Sequence, residues 1–205
     1  DELGSHGARG EDLEQQKERR ISRRAFVADV YMLTPDKESG SLRMINLFAI
    51  LQQLGFKVTF AAANLEAPEP YVSNLQMRGV ECVYRPCVKS VAKYLATHGG
   101  IYDLVILSRA DAAAQVMSAA RRHCKNAKIV FDTVDLHFLR EARLAEQTGD
   151  KVTRRVAEQR RRQELDLIAQ ADATLVVSEV ERRLLAEQAP SADVRLVSNI
   201  HRIYG

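Results

Sequence analysis

Short apolar runs alternate with amphipathic segments from Phe26 almost to the end of the chain. Residues 25–33, AFVADVYML, form the first apolar run, and residues 57–64, KVTFAAAN, form the second. Between them, the apolar side chains of SLRMINLFAILQQLGF recur at helical spacing until Gly55. A strand, a helix and a strand within roughly forty residues predict a βαβ unit with parallel strands.

The same alternation repeats towards the carboxyl terminus. Amphipathic segments predict further helices, including one long polar helix from about His137 to Gln170. The apolar runs are rich in Val, Ile and Leu, as expected for strands that are buried on both faces. The sequence therefore predicts an α/β fold: a three-layer α/β/α, Rossmann-like domain with a mainly parallel sheet of about seven strands. The remaining five predicted strands occupy residues 79–86, 102–109, 127–134, 171–178 and 194–200.

The composition is that of an ordinary globular protein, with 46% hydrophobic and 28% charged residues. A formal net charge of +3 is too small to indicate a nucleic-acid partner. The three cysteines lack the spacing of metal ligands, and their odd number is typical of reduced thiols. The sequence has neither an apolar run of membrane-spanning length nor an apolar secretion signal. We therefore expect a cytoplasmic protein without a metal ion.

Residues 1–24 differ from the rest of the chain because they carry many charges and few apolar side chains before Ile21. Such a segment buries little apolar area to offset the entropy lost on ordering. We interpret it as a linker or a solvated helix, whose GSHGARG stretch is either artificial in origin or part of an interdomain linker.

Three polar loops are expected to meet at one edge of the sheet. In the common strand order 3-2-1-4-5, the fourth strand lies beside the first and the fifth lies next to the fourth. Ligands bind such sheets beyond the carboxyl ends of the strands. The three loops are TPDKESGS after the first strand, SRAD after the fourth and DTVDLHFLR after the fifth.

The first loop offers a site for an anionic or hydroxyl-bearing ligand. Ser39, Gly40 and Ser41 precede a helix, whose free N–H groups and dipole favour such a ligand. The alternative is simple capping, with Ser41 as the N-cap residue. Arg43, one turn into the helix, reaches either the cleft or the protein surface. The loop matches neither the dinucleotide-binding fingerprint nor the P-loop pattern.

The other two loops carry the remaining candidate residues. Arg109 and Asp111 follow the fourth strand, where they either bind a ligand or form a structural ion pair. Asp132 and Asp135 follow the fifth strand and match no metal signature; Asp135 is alternatively a cap for the next helix. His137 is the candidate catalytic residue, because an imidazole titrates near neutral pH and lies where the loops converge. The alternative is an ordinary surface or core histidine.

The segment RRVAEQRRR, residues 154–162, concentrates basic side chains on one predicted helix. Most such runs are solvated helix faces, but an anionic membrane surface, a partner domain or an acidic ligand are alternatives. The five basic residues are Arg154, Arg155, Arg160, Arg161 and Arg162.

Several of these segments, taken in order, resemble the N-terminal half of GT-B glycosyltransferases, in particular the large retaining group of family 4. The resemblance covers residues 25–204 and implies the first of two Rossmann-like domains, the one that mainly binds the acceptor. It also implies that residues 201–205 begin a linker to a C-terminal donor-binding domain that this chain lacks, so that the chain alone should not turn over. The resemblance rests on the segments TPDKESGSLRMINLFAILQQLGFKVTF, YDLVILSRAD, FDTVDLHFLREAR, ADATLVVSEVE and VRLVSNIH.

The resemblance also implies roles for individual residues. The Gly40 loop matches the family's first glycine-containing loop, which lies near the donor phosphates and the acceptor. His137 matches the place of a polar residue, often histidine, that faces the transferred sugar. The absence of a DxD motif fits the metal independence that is usual in the family, while the single glycine in SGS departs from the two that many relatives have.

The activity implied is attack by an acceptor hydroxyl on the anomeric carbon of a nucleotide sugar, with retention of configuration. No cofactor is implied beyond the nucleotide-sugar donor, and the commonest setting is bacterial surface polysaccharide synthesis, at the inner face of the membrane. Two alternatives stay open: a non-catalytic Rossmann-like binding or scaffold module, and one half of a sugar-nucleotide epimerase of the same architecture.

Overall fold

The computed structural model describes residues 23–200, which form a single seven-stranded sheet with helices on both faces. The helices are α1 (Ser39–Gln53), α2 (Tyr71–Met77), α3 (Val91–His98), α4 (Ala110–His123), α5 (His137–Thr148), α6 (Lys151–Gln170) and α7 (Glu179–Gln188), with a 3₁₀ turn at Gly99–Ile101. The strands are β1 (Arg23–Asp29), β2 (Phe56–Ala62), β3 (Glu81–Val83), β4 (Leu104–Ser108), β5 (Lys128–Asp132), β6 (Ala173–Val176) and β7 (Val194–Leu196).

All seven strands are parallel, in the order β3-β2-β1-β4-β5-β6-β7. The chain builds outward from β1 to β3, returns, and builds outward again from β4 to β7. The predicted fold class and the predicted order of the first five strands are therefore confirmed. The switch point lies between β1 and β4, where ligand clefts form in sheets of this kind.

The strands are buried on both faces because alternate side chains point into two separate cores. Ala25 and Val27 of β1 belong to the core beneath α1 and α2. Phe26 and Ala28 of the same strand belong to the opposite core, which also contains side chains of α3, α4, α6 and α7. This two-sided burial explains why the strand sequences are continuous apolar runs.

The single long helix predicted from His137 to Gln170 is wrong, because the segment forms two helices. Gly149 ends α5 in the left-handed region, at φ 64°, which favours glycine. Asp150 then caps α6 by accepting a hydrogen bond from the Thr153 N–H at 2.8 Å. The two helices form a helical hairpin instead of one rod.

This hairpin extends past the carboxyl edge of the sheet. Asp111, in the first turn of α4, is bonded to Arg160 of α6, and Arg121 near the end of α4 is bonded to the Gln170 carbonyl at the end of α6. The two helices therefore run side by side from residue 160 onwards. At 1.5 Å per residue, the part of α6 before Arg160 projects roughly 13 Å beyond α4, with α5 packed against it.

The domain boundaries are only partly visible. β1 begins at Arg23, two residues before the predicted domain start, and β7 ends at Leu196, four residues before its predicted end. The rest of the predicted leader, residues 1–22, and the predicted linker, residues 201–205, lie outside the described residues.

Candidate functional site

The last residues of β1, β4 and β5 form a row of polar side chains at the switch point. They are Asp29, Ser108 and Asp132, and all three are buried. Ser108 is aligned with Asp132 in the sheet. Asp29 Oδ2, Ser108 Oγ and Asp132 Oδ1 have no hydrogen-bond partner within residues 23–200. Because buried polar atoms are rarely left unpaired, this row has unused hydrogen-bonding capacity at the edge where a ligand is expected.

Arg109 joins the loops after β1 and β4. Its Nη1 donates to Asp29 Oδ1 at 2.8 Å, and its Nη2 donates to Glu38 in the loop that precedes α1. Its backbone has φ 66° and ψ 145°, a region that residues other than glycine rarely adopt. Strain of this kind persists where the surroundings hold a residue firmly, and it is concentrated at functional sites. Two of the three predicted loops therefore meet at Arg109.

Asp111 does not share this arrangement. The structural ion pair considered between Arg109 and Asp111 is wrong, because Arg109 turns towards β1 while Asp111 lies in the first turn of α4. Asp111 accepts a hydrogen bond from Arg160 of α6 at 2.6 Å. It is half-exposed and fixes α6 against α4.

The Ser39–Ser41 turn is the start of α1 itself. The helix begins at Ser39, its N-cap residue is Glu38 without a side-chain cap, and Ser41 is buried in the first turn. The alternative interpretation of Ser41 as an N-cap is therefore wrong. A Cβ at Gly40 would lie 2.7 Å from Arg109 Nη2 and 3.2 Å from Val134 Cγ1, so the absence of a side chain lets the second and third loops approach α1.

The alternative that Arg43 lies at the protein surface is wrong, because its side chain is only 1% exposed. Its Nη1 donates to Asp132 Oδ2 at 2.6 Å, and its Nη2 donates to the Val197 carbonyl at 3.0 Å. One turn on, Asn46 donates to the Ile200 carbonyl at 2.8 Å. Helix α1 thus connects the end of β5 with the segment after β7. Burial raises the pKa of the Asp132 carboxyl, and Arg43 opposes that rise.

The charge on Asp29 should make stability depend on pH. Burial raises the pKa of this carboxyl from 3.8 to about 6, against the attraction of Arg109. Because the folded-state pKa is the higher one, the contribution of Asp29 is complete below pH 3.8 and is lost as pH rises through 6. We expect the unfolding free energy of the wild type, relative to Asp29→Asn, to fall by about 2 kcal/mol between about pH 4 and pH 7.

Urea titrations of both proteins across this range measure the difference. A difference that stayed constant, or that grew with pH, would show that the Asp29 carboxyl is not held in this buried environment.

His137 lies in the first turn of α5 and is paired with Asp135. Its Nε2 is 2.8 Å from Asp135 Oδ1, and Asp135 Oδ2 also accepts from Arg140 at 3.4 Å. On the other side of the ring, Nδ1 lies 4.0 Å from a carboxylate oxygen of Glu164. The hydrogen bond to Asp135 raises the pKa of the imidazole above its ordinary value, although burial opposes this. A protonated ring here can neutralise an anion or donate a hydrogen bond.

Asp135 is not the cap of α5, so that alternative is wrong. The N-cap residue is Leu136, and its side chain makes no capping hydrogen bond. The first N–H groups of the helix instead donate to Glu164, a buried residue of α6. Asp135 lies outside the helix, bonded to His137 and Arg140.

Sequence reasoning missed three acidic residues of the site. Asp29 lies within an apolar run of the sequence and was not predicted as a site residue. Like Asp132 in β5, it is the last residue of its strand, and a carboxylate at that position could have been recognised from the sequence. Glu38 and Glu164 gave no such signal, because each lies in a polar segment and acquires its partner only through the fold.

A separate groove of about 790 Å³ lies between α5 and α6. Alanines of both helices and Phe138 form its apolar part, and charged residues of α6 surround it. None of the residues predicted to bind substrate or to act in catalysis lines this groove. The predicted site at the strand ends and this groove are therefore distinct features.

Comparisons with known proteins connect this geometry to an architecture. No protein-family model and no curated protein sequence matches the chain. Among solved structures, sucrose-phosphate synthase from Thermosynechococcus elongatus aligns with 86% of this chain and 48% of its own, at 12% identity and a TM-score of 0.57. A Polygonum tinctorium UDP-glucosyltransferase aligns with 88% of this chain and 53% of its own, at 12% identity and a TM-score of 0.58.

Anabaena HepE, solved in complex with UDP-glucose, aligns with 87% of this chain and 44% of its own, at 12% identity and a TM-score of 0.57. By fold, the chain is a GT-B lobe. It spans about half the length of these three proteins. In the GT-B lobe described here, the polar row, Arg109 and His137 all lie at or beyond the carboxyl edge of the sheet.

Proposed function

We propose that this GT-B lobe is the acceptor-side half of a retaining glycosyltransferase, which moves a sugar from a nucleotide-sugar donor to an acceptor hydroxyl. The observation that supports this most is the meeting of three charged loops at the switch point of a GT-B lobe. Arg109 and Gly40 bring the first two loops together, and Asp135 and His137 stand on the third. A second lobe, closing over this edge, would supply the donor-binding surface.

In this proposal each loop has a defined task. The N-terminus of α1 at Ser39 and Gly40, together with Arg109, stabilises the negative charge that develops on the departing diphosphate. The imidazolium of His137 faces the transferred sugar, where its charge offsets the negative charge that develops on the departing diphosphate. The buried ion pair between Arg43 and Asp132 holds the end of β5 against α1. Because the acceptor hydroxyl and donor are brought together in a fixed geometry, positioning supplies much of the rate.

The setting and the partners belong to the same proposal. The acceptor is a glycan, the product belongs to bacterial surface polysaccharide, and no metal ion or cofactor takes part. The lobe alone is inactive, since the donor site lies on the second lobe. Transfer should therefore be unaffected by a metal chelator and should require both lobes.

The test is a nucleotide-sugar assay on the full-length protein that carries this lobe, with candidate glycan acceptors and with EDTA in a parallel reaction. Acceptor-dependent release of nucleotide, with a product of retained anomeric configuration, supports the proposal. Conversion of the donor without any acceptor would identify an epimerase instead. Absence of both reactions, with intact binding of a partner protein, would favour a scaffold role.

Contact with a membrane surface is a separate part of the proposal. No helix within residues 23–200 is both long and apolar enough to span a membrane. Three of the five arginines of α6 are engaged within the fold, Arg160 with Asp111 and both Arg161 and Arg162 with Glu158. This leaves a smaller basic surface than the sequence suggested.

One face of α6 nevertheless combines basic and exposed apolar side chains. Val152 and Val156 are 69% and 51% exposed, and helical spacing places Lys151 and Arg155 on the same face. Such a stripe is typical of helices that lie at an anionic lipid surface. Sedimentation of the chain with vesicles of anionic phospholipid, but not with neutral ones, tests this contact.

A further inference from the structure

We infer that Glu164 of α6 is a positioning residue for His137, setting both the place of its backbone and the charge of its imidazole. The use of His137 in sugar transfer rests on the proposed function. The contacts between the two residues do not, so the inference can be tested with or without an active enzyme.

The first part of the evidence is the backbone. Glu164 Oε1 accepts the His137 N–H at 3.1 Å, and Glu164 Oε2 accepts the Phe138 N–H at 3.2 Å. Both carboxylate oxygens are thus used, and the residue is 1% exposed. Since Leu136 supplies no side-chain cap, Glu164 performs the task of an N-cap from a different helix. A residue of α6 therefore fixes the position of the first turn of α5.

The second part is the ring. His137 Nδ1 lies 4.0 Å from Glu164 Oε1, while Nε2 lies 2.8 Å from Asp135 on the opposite side. An imidazole between two carboxylates is favoured in its protonated form, and the nearby Arg140 opposes this only from the exposed side of Asp135. Burial raises the pKa of the Glu164 carboxyl, while its two N–H donors and the charge of His137 oppose that rise and favour the ionised form that this task needs.

The chain offers a matched control in Glu181 of α7. This carboxylate is also buried, and it accepts the Leu136 N–H at 3.1 Å together with two N–H groups at the start of α7. Glu181 thus holds the residue just before α5, as Glu164 holds the first two residues of that helix. The side-chain hydrogen bonds of Glu181 are all with backbone N–H groups. Glu164→Gln and Glu181→Gln therefore remove comparable structural support, and only the first removes a charge beside the ring.

The experiment is an NMR titration of the His137 ring in the isotopically labelled chain, for the wild type and both variants. We expect Glu164→Gln to lower the pKa of His137, whereas Glu181→Gln leaves it unchanged while also lowering the thermal midpoint. In the wild type, the backbone amide shifts of His137 and Phe138 should both report one further titration, that of the Glu164 carboxyl. That observation needs no variant and so remains available if Glu164→Gln fails to fold.

The pH profile of sugar transfer gives a second measurement on the full-length protein. If the imidazolium is the active form, the rate falls as pH rises through the pKa of His137, and Glu164→Gln moves this fall to lower pH. A displaced turn should also reduce kcat/KM by about 10- to 100-fold.

Equal His137 pKa values in the wild type and Glu164→Gln, or amide shifts that do not follow a carboxyl, would overturn the inference and leave Glu164 as a structural cap. A lowered pKa with an unchanged transfer rate has a different meaning. It would support the positioning of the ring and count against a role of His137 in the reaction.

Discussion

Replacement of Arg43 by methionine should lower the free energy of unfolding by about 3–5 kcal/mol. The variant leaves the Asp132 carboxylate fully buried without its partner at 2.6 Å, and it also removes the donor to the Val197 carbonyl. Removing one member of a buried ion pair is strongly destabilising, because the remaining charge is desolvated and has no partner of opposite charge. Urea denaturation followed by circular dichroism measures the change.

Two further proteins make this result specific. The double variant Arg43→Met/Asp132→Leu should regain most of the lost stability, because no unpaired charge is then buried. Arg182→Ala removes an exposed arginine that pairs with Glu179, and it should leave the denaturation midpoint unchanged. A loss below about 1 kcal/mol for Arg43→Met would mean that Arg43 and Asp132 are hydrated in solution.

Replacement of His137 by alanine should reduce kcat for sugar transfer by about 10²- to 10³-fold in the full-length protein, with little effect on stability. The ring is half-buried and contributes its charge beside the proposed position of the sugar, whereas its backbone is held independently by Glu164. Initial rates at saturating donor and acceptor measure the effect.

The matched control is His98→Ala. His98 is exposed at the end of α3, at the opposite edge of the sheet, and stacks on Tyr94. That variant should retain wild-type turnover. Wild-type turnover in His137→Ala, with an unchanged fold, would remove His137 from the catalytic machinery.

The sheet could be predicted because its signal is local. Each central strand is a short continuous run of apolar residues, and both faces of the sheet are covered by helices. The strand order then followed from the usual topology of such sheets, and it placed the three loops together. The break between α5 and α6 was also encoded locally, by Gly149 and Asp150, but the continuous polar pattern around them hid it.

The partners of the charged residues could not be predicted, because they lie far apart in the chain. Arg43 is 89 residues from Asp132, and Arg109 is 80 residues from Asp29. Spacing in the sequence suggested Arg109 with Asp111, but the direction of each side chain depends on whether its residue ends a strand or begins a helix. The burial of Arg43 likewise results from the packing of α1 against two distant segments.

Hydrogen bonds from α1 hold the segment that follows β7. Arg43 holds the Val197 carbonyl and Asn46 holds the Ile200 carbonyl, so the departure direction of the polypeptide is fixed relative to Asp132. A lobe attached at that point would inherit its starting orientation from the first helix. A substitution that shifts α1 would therefore change the angle between this domain and an attached lobe. This would occur even if every side chain of the polar row stayed in place.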